Sequence, residues 1–274
     1  MVSIAIVNQK GGVGKTSVTL GLASSAARRG LETLIVDLDP QGNATTGLGV
    51  FEPLKGVINV LEEETVGGIS EVSEKAKWPS SCGQIPYVAA STPNPSVCEP
   101  HLATDPLGAQ NRLSLSFEST GWPLVIVDCP PSLGLLTINA LFAVDLTLVV
   151  TEPGAWSVDG VARMIQTIEK VKTRRVDSKP EIAGIAVNRL GRTRDDSYWN
   201  AKLEEAYSSY QLPKVHLRTA VAEASAQSLP IHGLGNRSGA AEAAAEFDQL
   251  LTLLLEDEYS ESNSDEEEHS DGYL

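Results

Sequence analysis

A short glycine-rich segment near the N-terminus carries residues whose types and spacing suit phosphate chemistry. It reads Asn-Gln-Lys-Gly-Gly-Val-Gly-Lys-Thr over residues 8–16. Glycines let the backbone approach a phosphate and direct several N–H groups towards it. Lys15 would bring a positive charge to the β- and γ-phosphates, the Thr16 hydroxyl would coordinate Mg²⁺, and Ser17 would lie near the α-phosphate. The segment predicts a loop that binds ATP with Mg²⁺; the alternative is a glycine-rich turn in which Gly-Lys-Thr is incidental.

The residues on either side of this loop place it in the required context. An apolar run, residues 2–7, precedes the loop, and a stretch with helical character, residues 16–29, follows it. A strand, a glycine-rich loop and a helix N-terminus in this order form a phosphate cradle, because the first N–H groups of a helix lack intrahelical partners and its dipole favours negative charge. Gly30 is well placed to end the helix.

Two later apolar runs also end in carboxylates. Residues 33–37 end at Asp37 and are followed by Asp39, and residues 124–128 end at Asp128. In a doubly wound sheet the ligand binds outside the carboxyl ends of the strands. Carboxylates placed there can support Mg²⁺ through water or orient an attacking water. The alternative for Asp37 and Asp39 is an acidic turn after a strand.

Along the chain, short β-branched runs alternate with longer helical stretches, which predicts an α/β fold: a doubly wound, mostly parallel sheet with helices on both faces. Several runs, such as IAIV and LVIV, are apolar on both faces, as expected for strands covered on both sides. The predicted strands are residues 2–7, 33–37, 85–89, 124–128, 146–151, 182–188 and 214–217. The predicted helices are residues 16–29, 104–117, 136–142, 157–174, 197–209, 218–226 and 239–255. Residues 62–83 are expected to form a loop or a short helix.

Charge is distributed unevenly along the 274 residues. The formal net charge is −15, but nine of the 36 acidic residues and none of the 21 basic ones lie in residues 256–274, so residues 1–255 carry −6. We therefore predict one ATPase domain, residues 1–255, and an acidic disordered tail, residues 256–274. Residues 163–218 are locally basic, with 12 Lys and Arg against seven Asp and Glu. The three cysteines have unrelated spacings, which fits a reducing cytoplasm.

The glycine-rich loop departs from the ordinary phosphate-loop pattern at one informative place. Where that pattern has glycine this chain has Gln9, and Lys10 follows it. The form KGGVGKT resembles the deviant Walker A motif of the ParA/MinD class of P-loop ATPases. The strings DLDPQGNATTGLG, residues 37–49, and DCPPSLG, residues 128–134, resemble the switch I and switch II segments of that class. The resemblance covers residues 2–255.

This resemblance implies roles for individual residues. Lys10 would reach across a homodimer interface to the phosphates of the partner's ATP, as an arginine finger does. Asp39 would be tied to hydrolysis, Asp37 would be structural, and Asn188 would contact the adenine edge, with strand capping as its alternative. The implied catalytic residues are Lys10, Lys15, Asp39 and Asp128. The implied ATP contacts are Lys10, Gly11, Gly12, Val13, Gly14, Lys15, Thr16, Ser17 and Asn188. The implied Mg²⁺ ligands are Thr16 directly and Asp39 and Asp128 through water.

Other members of the class fit less well. A MinD-like membrane ATPase would end in a basic amphipathic helix, whereas this chain ends in an acidic segment that an anionic surface repels. A nitrogenase-reductase-like electron carrier needs cysteines around an Fe–S cluster, and Cys129 has no suitably placed second cysteine. A tyrosine-kinase relative would carry a C-terminal tyrosine cluster, whereas residues 256–274 contain only Tyr259 and Tyr273. Two hypotheses remain. In the first, the chain partitions plasmid or chromosomal DNA together with a ParB-type centromere-binding protein. In the second, it is a ParA-like ATPase that positions a protein cargo over the nucleoid.

Both hypotheses require a dimer that binds duplex DNA without sequence preference. The dimer would be cytoplasmic and associated with the nucleoid, and it would have no membrane partner. Compared with ParA-type proteins, basic residues after the late strand and before a later helix fall near positions that contact DNA. The DNA candidates are Arg189, Arg192, Arg194 and Arg218. The alternative is that these arginines are solvated or pair with Asp195, Asp196 and Glu223.

Overall fold

A central sheet with helices on both faces organises the protein. The computed structural model describes residues 1–92, 100, 102–105 and 108–268, with side chains to residue 256. The strands are β1 Val2–Val7, β2 Thr33–Asp37, β3 Ser73–Lys75, β4 Tyr87–Ala89, β5 Leu124–Asp128, β6 Leu146–Thr151 and β7 Glu181–Val187. Their order across the sheet is β3-β4-β2-β5-β1-β6-β7. All neighbouring pairs are parallel except β3 and β4.

Nine α-helices have both ends within the described part of the chain. They are α1 Lys15–Arg28, α2 Asn43–Gly47, α3 Val57–Glu63, α4 Arg112–Phe117, α5 Leu135–Ala143, α6 Ser157–Lys172, α7 Arg194–Ala206, α8 Thr219–Ala226 and α9 Ala240–Glu268. Short 3₁₀ turns occur at Gly68–Glu71, Ser80–Cys82, Ser208–Tyr210 and Ile231–Leu234. No helix among these residues combines the length and apolarity that a bilayer-crossing segment requires.

Two hydrophobic clusters form, one on each face of the sheet. Alternation along β1 sends Ile4 and Ile6 to the first cluster, which includes apolar residues of α1, α8 and α9. Ala5 and Val7 point to the second cluster, which includes residues of α3, α4, α5, α6 and α7. Side chains of a strand alternate between faces, so a strand apolar throughout needs helices on both sides. The predicted doubly wound α/β fold is confirmed.

The helix after the phosphate loop packs closely against the long C-terminal helix. Gly21 lies in α1, and a Cβ built on it would lie 2.4 Å from the ring of Phe247 in α9. Phe247 is fully buried. The absence of a side chain at Gly21 therefore lets the two helices approach. At the end of α1, Leu31 N donates to Ala26 O at 3.0 Å and Gly30 has φ +71°, so Gly30 ends the helix as predicted.

The observed elements differ from the predicted ones in several places. Residues 214–217 do not form a strand: Leu190 and His216 make an isolated bridge, and the preceding Pro213 has no N–H to extend the pairing. The short polar strand β3 carries no apolar alternation and was not predicted. α4 begins at Arg112, later than predicted; residues 101, 106 and 107 lie outside the described residues. α9 continues to Glu268, into the predicted disordered tail, because helix propagation needs no new nucleus; residues 269–274 lie outside the described residues.

Candidate functional site

Polar side chains from five strands meet at the carboxyl edge of the sheet. Because β1 lies between β5 and β6 in parallel register, the segments that follow these strands emerge side by side. The site consists of residues 8–16 after β1, Asp39 after β2, Asp128 at the end of β5, Glu152 after β6 and Asn188 after β7.

Backbone conformation and one asparagine shape the glycine-rich loop. Asn8 Nδ2 donates to Val150 O at 2.7 Å, and Asn8 Oδ1 accepts from Lys10 N at 2.9 Å, so Asn8 joins the loop to β6. Gly14 has φ +86°, and a Cβ there would lie 2.2 Å from Asn188 Nδ2. Both the left-handed conformation and the close approach require glycine. The sequence analysis missed Asn8, whose position directly after a strand was the available signal.

Lys15 is a buried cation at the start of α1. Its side chain is 6% exposed, and Nζ donates to Asn8 O at 3.2 Å and to Lys10 O at 3.4 Å. Burial lowers the pKa of Lys15, and the nearby Asp128 opposes that shift. A buried ammonium whose hydrogen-bond acceptors are neutral carbonyls can bind an anionic ligand such as a phosphate.

The Thr16 hydroxyl and a buried carboxylate lie beside Lys15. Thr16 Oγ1 donates to Asp128 Oδ2 at 2.7 Å, and Thr19 Oγ1 donates to Asp128 Oδ1 at 3.2 Å. Burial, reinforced by the negative charge of Asp37, raises the pKa of Asp128. A divalent cation placed here would favour the ionised carboxylate. Thr16 and Asp128 therefore offer the hard oxygen donors that Mg²⁺ prefers.

Protein side chains alone do not form a complete metal site. Within the described ranges, no group of three or more His, Cys, Asp or Glu side chains is arranged to hold a metal ion. Mg²⁺ usually keeps several waters and is bound through one or two carboxylates together with substrate phosphates. The donor set fits a Mg²⁺ ion that arrives with a nucleotide.

The two aspartates after β2 differ in their surroundings. Asp37 is fully buried, and its Oδ2 accepts from Thr45 N at 2.8 Å and from Thr45 Oγ1 at 2.7 Å. Burial raises the pKa of Asp37. Asp39 is 8% exposed, and its Oδ1 accepts from Gln41 N at 2.9 Å. Asp37 therefore anchors α2 to the sheet, whereas Asp39 lies further towards the edge where the glycine-rich loop emerges.

A glutamate that the sequence analysis missed faces the loop. Lys10 Nζ lies 2.8 Å from Glu152 Oε1. Arg189 Nη1 donates to Gly12 O at 2.6 Å and lies 3.8 Å from Glu152 Oε2. Glu152 follows the apolar strand β6 directly, and an acid at a strand end is the same signal that pointed to Asp128.

Asn188 supports the loop. It is buried, and Nδ2 donates to Val13 O at 2.8 Å. Its contact with the adenine edge stays a prediction. Of the other predicted ATP contacts, Gly11 and Gly12 are exposed, Val13 is buried, and Ser17 is half-buried in the first turn of α1.

Two of the four DNA candidates contact other parts of the protein. Arg189 contacts the glycine-rich loop, as described above. Arg218 forms a two-pronged ion pair with Glu246 of α9, Nη2 donating to Oε1 at 2.8 Å. Glu246 is 28 residues distant in sequence, so local spacing gave no sign of it. Arg192 and Arg194 are exposed at the start of α7 and remain available to a ligand.

A large cleft at the opposite edge of the sheet does not compete with this site. It has a volume of about 900 Å³, and its lining includes Arg112 and Arg175. Arg112 pairs with Asp105 at 2.9 Å, and Arg175 pairs with Asp177 at 2.6 Å. Two of the three arginines that line the cleft are thus already paired with carboxylates.

The strand, glycine-rich loop and helix, with Lys15 bonded to the loop and Thr16 bonded to Asp128, define the nucleotide site of a P-loop NTPase. A family model described as an AAA domain matches residues 1–182. The chromosome-partitioning ATPase Soj of Thermus thermophilus is 37% identical over 191 residues, which are 69% of this chain and 70% of Soj. The chain therefore belongs to the ParA/Soj family of P-loop ATPases, and the predictions of family and ATPase class are confirmed.

Solved structures share the fold. McdA from Cyanothece, without nucleotide, has a TM-score of 0.80 at 19% identity, covering 93% of this chain and 99% of McdA. Cobyrinic acid a,c-diamide synthase from Mycobacterium smegmatis has a TM-score of 0.74 at 22% identity, covering 93% of this chain and 94% of the synthase. The synthase structure holds an ATP analogue and magnesium, the cofactors that the sequence predicts here.

Proposed function

We propose that this chain is a DNA-partition ATPase that binds ATP with Mg²⁺, dimerises around the nucleotide, binds duplex DNA without sequence preference and hydrolyses ATP when a ParB-type partner stimulates it. It would act in the cytoplasm on the nucleoid. One observation carries the proposal: the buried Lys15 lies beside the Thr16–Asp128 pair, while Lys10 of the same loop is 45% exposed. The loop thus directs Lys15 towards the nucleotide of its own subunit and leaves Lys10 exposed on the surface.

ATP binding rests on the residues at the carboxyl edge of the sheet. Lys15 binds the β- and γ-phosphates, and the loop N–H groups surround them. The Thr16 hydroxyl would hold Mg²⁺, and Asp128, which orients Thr16 through their 2.7 Å hydrogen bond, would support the ion through water. When bound, Mg²⁺ neutralises part of the phosphate charge and so favours transfer of the γ-phosphoryl group.

Hydrolysis and dimerisation rest on two further residues. Asp39 accepts a hydrogen bond from Gln41 N through Oδ1, and it orients the attacking water. Lys10 supplies positive charge to the partner's phosphates, where electrostatic stabilisation of developing charge accelerates phosphoryl transfer. The family membership of the chain supports both roles.

DNA binding rests on the exposed arginines at the start of α7. Arg192 and Arg194 are solvent-exposed, so their charges can reach phosphates without first losing a buried environment. A two-fold dimer presents this pair twice. Several phosphate contacts release counterions, which makes non-specific affinity fall steeply with salt.

The first experiment uses the wild-type chain. We expect size-exclusion chromatography with light scattering to show a monomer with ADP and a dimer with a non-hydrolysable ATP analogue. A mobility-shift assay at low salt should show DNA binding by the dimer. A monomer in every nucleotide state, or no DNA binding by the dimer, contradicts the proposal. Stimulation of turnover by a partner that does not bind DNA would indicate cargo positioning instead.

A further inference from the structure

The exposed lysine of the glycine-rich loop already has a partner within its own subunit. Lys10 Nζ lies 2.8 Å from Glu152 Oε1, and the two side chains are 45% and 25% exposed. Glu152 Oε2 lies 3.8 Å from Arg189 Nη1, and that arginine is bonded to Gly12 O. One carboxylate thus faces both exposed cations at the nucleotide site.

The sheet register explains this contact. β1 and β6 are parallel neighbours with Val7 opposite Val149, so the residues that follow the two strands lie next to each other. Asn8 fixes the loop onto β6 through Val150 O, and this brings Lys10 over Glu152. The pair joins residues 142 positions apart in sequence.

We propose that Glu152 is a positioning residue that retains Lys10 in its own subunit and thereby limits how readily the nucleotide-bound dimer forms. The inference rests on the proposed function, since it concerns the same dimer. A Lys10 side chain that reaches a partner's phosphates must leave Glu152. In a two-fold dimer both subunits lose this pair, so its contribution counts twice.

The size of the effect follows from the exposure of the pair. A partly exposed ion pair is screened by water and contributes little, at most about fivefold in an equilibrium constant. Because two pairs break, Glu152→Gln is expected to lower the dimer dissociation constant by about two- to twenty-fivefold. Added salt weakens exposed ion pairs, so the difference from wild type should shrink as ionic strength rises.

Glu181→Gln provides a matched control. Glu181 pairs with Lys172 at 2.5 Å at the start of β7, at the opposite edge of the sheet, and its replacement changes the net charge equally. Sedimentation velocity with a non-hydrolysable ATP analogue and Mg²⁺ would compare wild type with both variants. We expect a tighter dimer for Glu152→Gln and a wild-type dimer for Glu181→Gln. A Glu152→Gln dimer that is equal to wild type or weaker overturns the inference.

A second measurement separates this inference from the proposed function. In the nucleotide-free protein, the rate of acylation of Lys10 by an amine-reactive reagent can be followed by peptide mass spectrometry. An amine released from its ion pair should react faster, so Glu152→Gln should raise the rate at Lys10 and Glu181→Gln should not. An unchanged rate at Lys10 overturns the inference even if the dimer forms. If acylation of Lys10 is faster in Glu152→Gln but wild type forms no dimer, the Lys10–Glu152 ion pair is supported and the proposed function is refuted.

Discussion

At the residue scale, the nucleotide site concentrates charge in a small buried volume. Lys15 and Asp128 are both buried, and each influences the pKa of the other. Burial disfavours the charged form of each group, and the opposite charge nearby partly compensates. The arrangement favours ligands that carry both signs of charge, as a nucleotide with its magnesium ion does.

Lys15→Ala should remove most of the ATP affinity. Hydrogen bonds to charged groups contribute about 1.5–3 kcal/mol, so affinity should fall by about ten- to one-hundred-and-fiftyfold. Lys170→Ala, which removes an exposed lysine from α6, is the control and should bind as wild type does. Equilibrium titration with ATP and Mg²⁺ provides the measurement. Wild-type affinity in Lys15→Ala would show that the loop does not bind phosphates as proposed.

Asp39→Ala should separate hydrolysis from binding. Because Asp39 orients the attacking water in the proposed mechanism, its loss should leave ATP bound and hold the protein as a dimer. Steady-state turnover should fall by about one-hundredfold or more, the contribution of a group that assists proton transfer. Light scattering with ATP and a phosphate-release assay test this expectation. Turnover at the wild-type rate would show that a residue other than Asp39 orients the attacking water.

Asp37→Asn should behave differently, because Asp37 anchors α2. Its Oδ2 accepts two hydrogen bonds from Thr45, and an amide nitrogen in that place would face two donors. We expect the free energy of unfolding to fall by about 1–3 kcal/mol. Urea denaturation measures this change. A variant as stable as wild type would show that Asp37 does not anchor the helix.

At the scale of elements, α1 connects the nucleotide site to the C-terminal helix. It begins at Lys15 and packs on α9 through Gly21 and Phe247. His232 lies between the same helices: its Nδ1 is 2.7 Å from Ser24 Oγ, and its Nε2 is 3.3 Å from Asp248 Oδ2. The position of the phosphate-binding loop therefore depends on α9, the last of the described helices.

Gly21→Ala should destabilise this helix pair. The new methyl group would lie 2.4 Å from the Phe247 ring, and overpacking of a core costs about 1–3 kcal/mol. Gly160→Ala in α6 is the matched control, because a Cβ there meets nothing within 4 Å and alanine favours helix by about 1 kcal/mol. Thermal and urea denaturation should find Gly21→Ala the less stable of the two. Equal stabilities would show that the two helices move apart freely.

At the scale of the whole molecule, an acidic protein is proposed to bind DNA through a small basic region. The net charge is −15 over the full chain, and residues 163–218 are locally basic. The four DNA candidates differ in their contacts: Arg189 lies at the nucleotide site, Arg218 pairs with Glu246, and Arg192 and Arg194 are exposed. DNA affinity is thus expected to depend on bringing two copies of this pair together.

Replacing Arg192 and Arg194 together by alanine should weaken DNA binding and leave the ATP-driven dimer intact. Each lost phosphate contact reduces the slope of the logarithm of the binding constant against the logarithm of salt concentration by about 0.9. With two arginines in each of two subunits, the dimer loses up to about four such contacts. The control replaces Lys170, in the last turn of α6, and Arg174, just after that helix; both are exposed cations, and the variant should retain the wild-type slope. Fluorescence anisotropy with duplex DNA at several salt concentrations measures both. An unchanged slope in the Arg192 and Arg194 variant would place the DNA contact elsewhere.

Sequence alone determined the features that depend on neighbours along the chain. The order of strand, glycine-rich loop and helix lies within residues 2–29, so its apolar pattern and glycine spacing predicted the phosphate loop with Lys15 and Thr16. Asp39, which follows a strand, and Asp128, which ends one, were predictable for the same reason. Runs that are apolar on both faces predicted the doubly wound sheet.

Tertiary structure decided every contact between distant segments. Glu152 faces Lys10 because β1 and β6 are adjacent and in register, and Arg218 pairs with Glu246 because α9 folds back beside it. Residues 214–217 have strand-like composition, but they only share backbone hydrogen bonds with residues 187–190 and one isolated bridge, and they do not form a strand. Ion pairs and sheet edges depend on distances in space, which the spacing of residues along the chain does not fix.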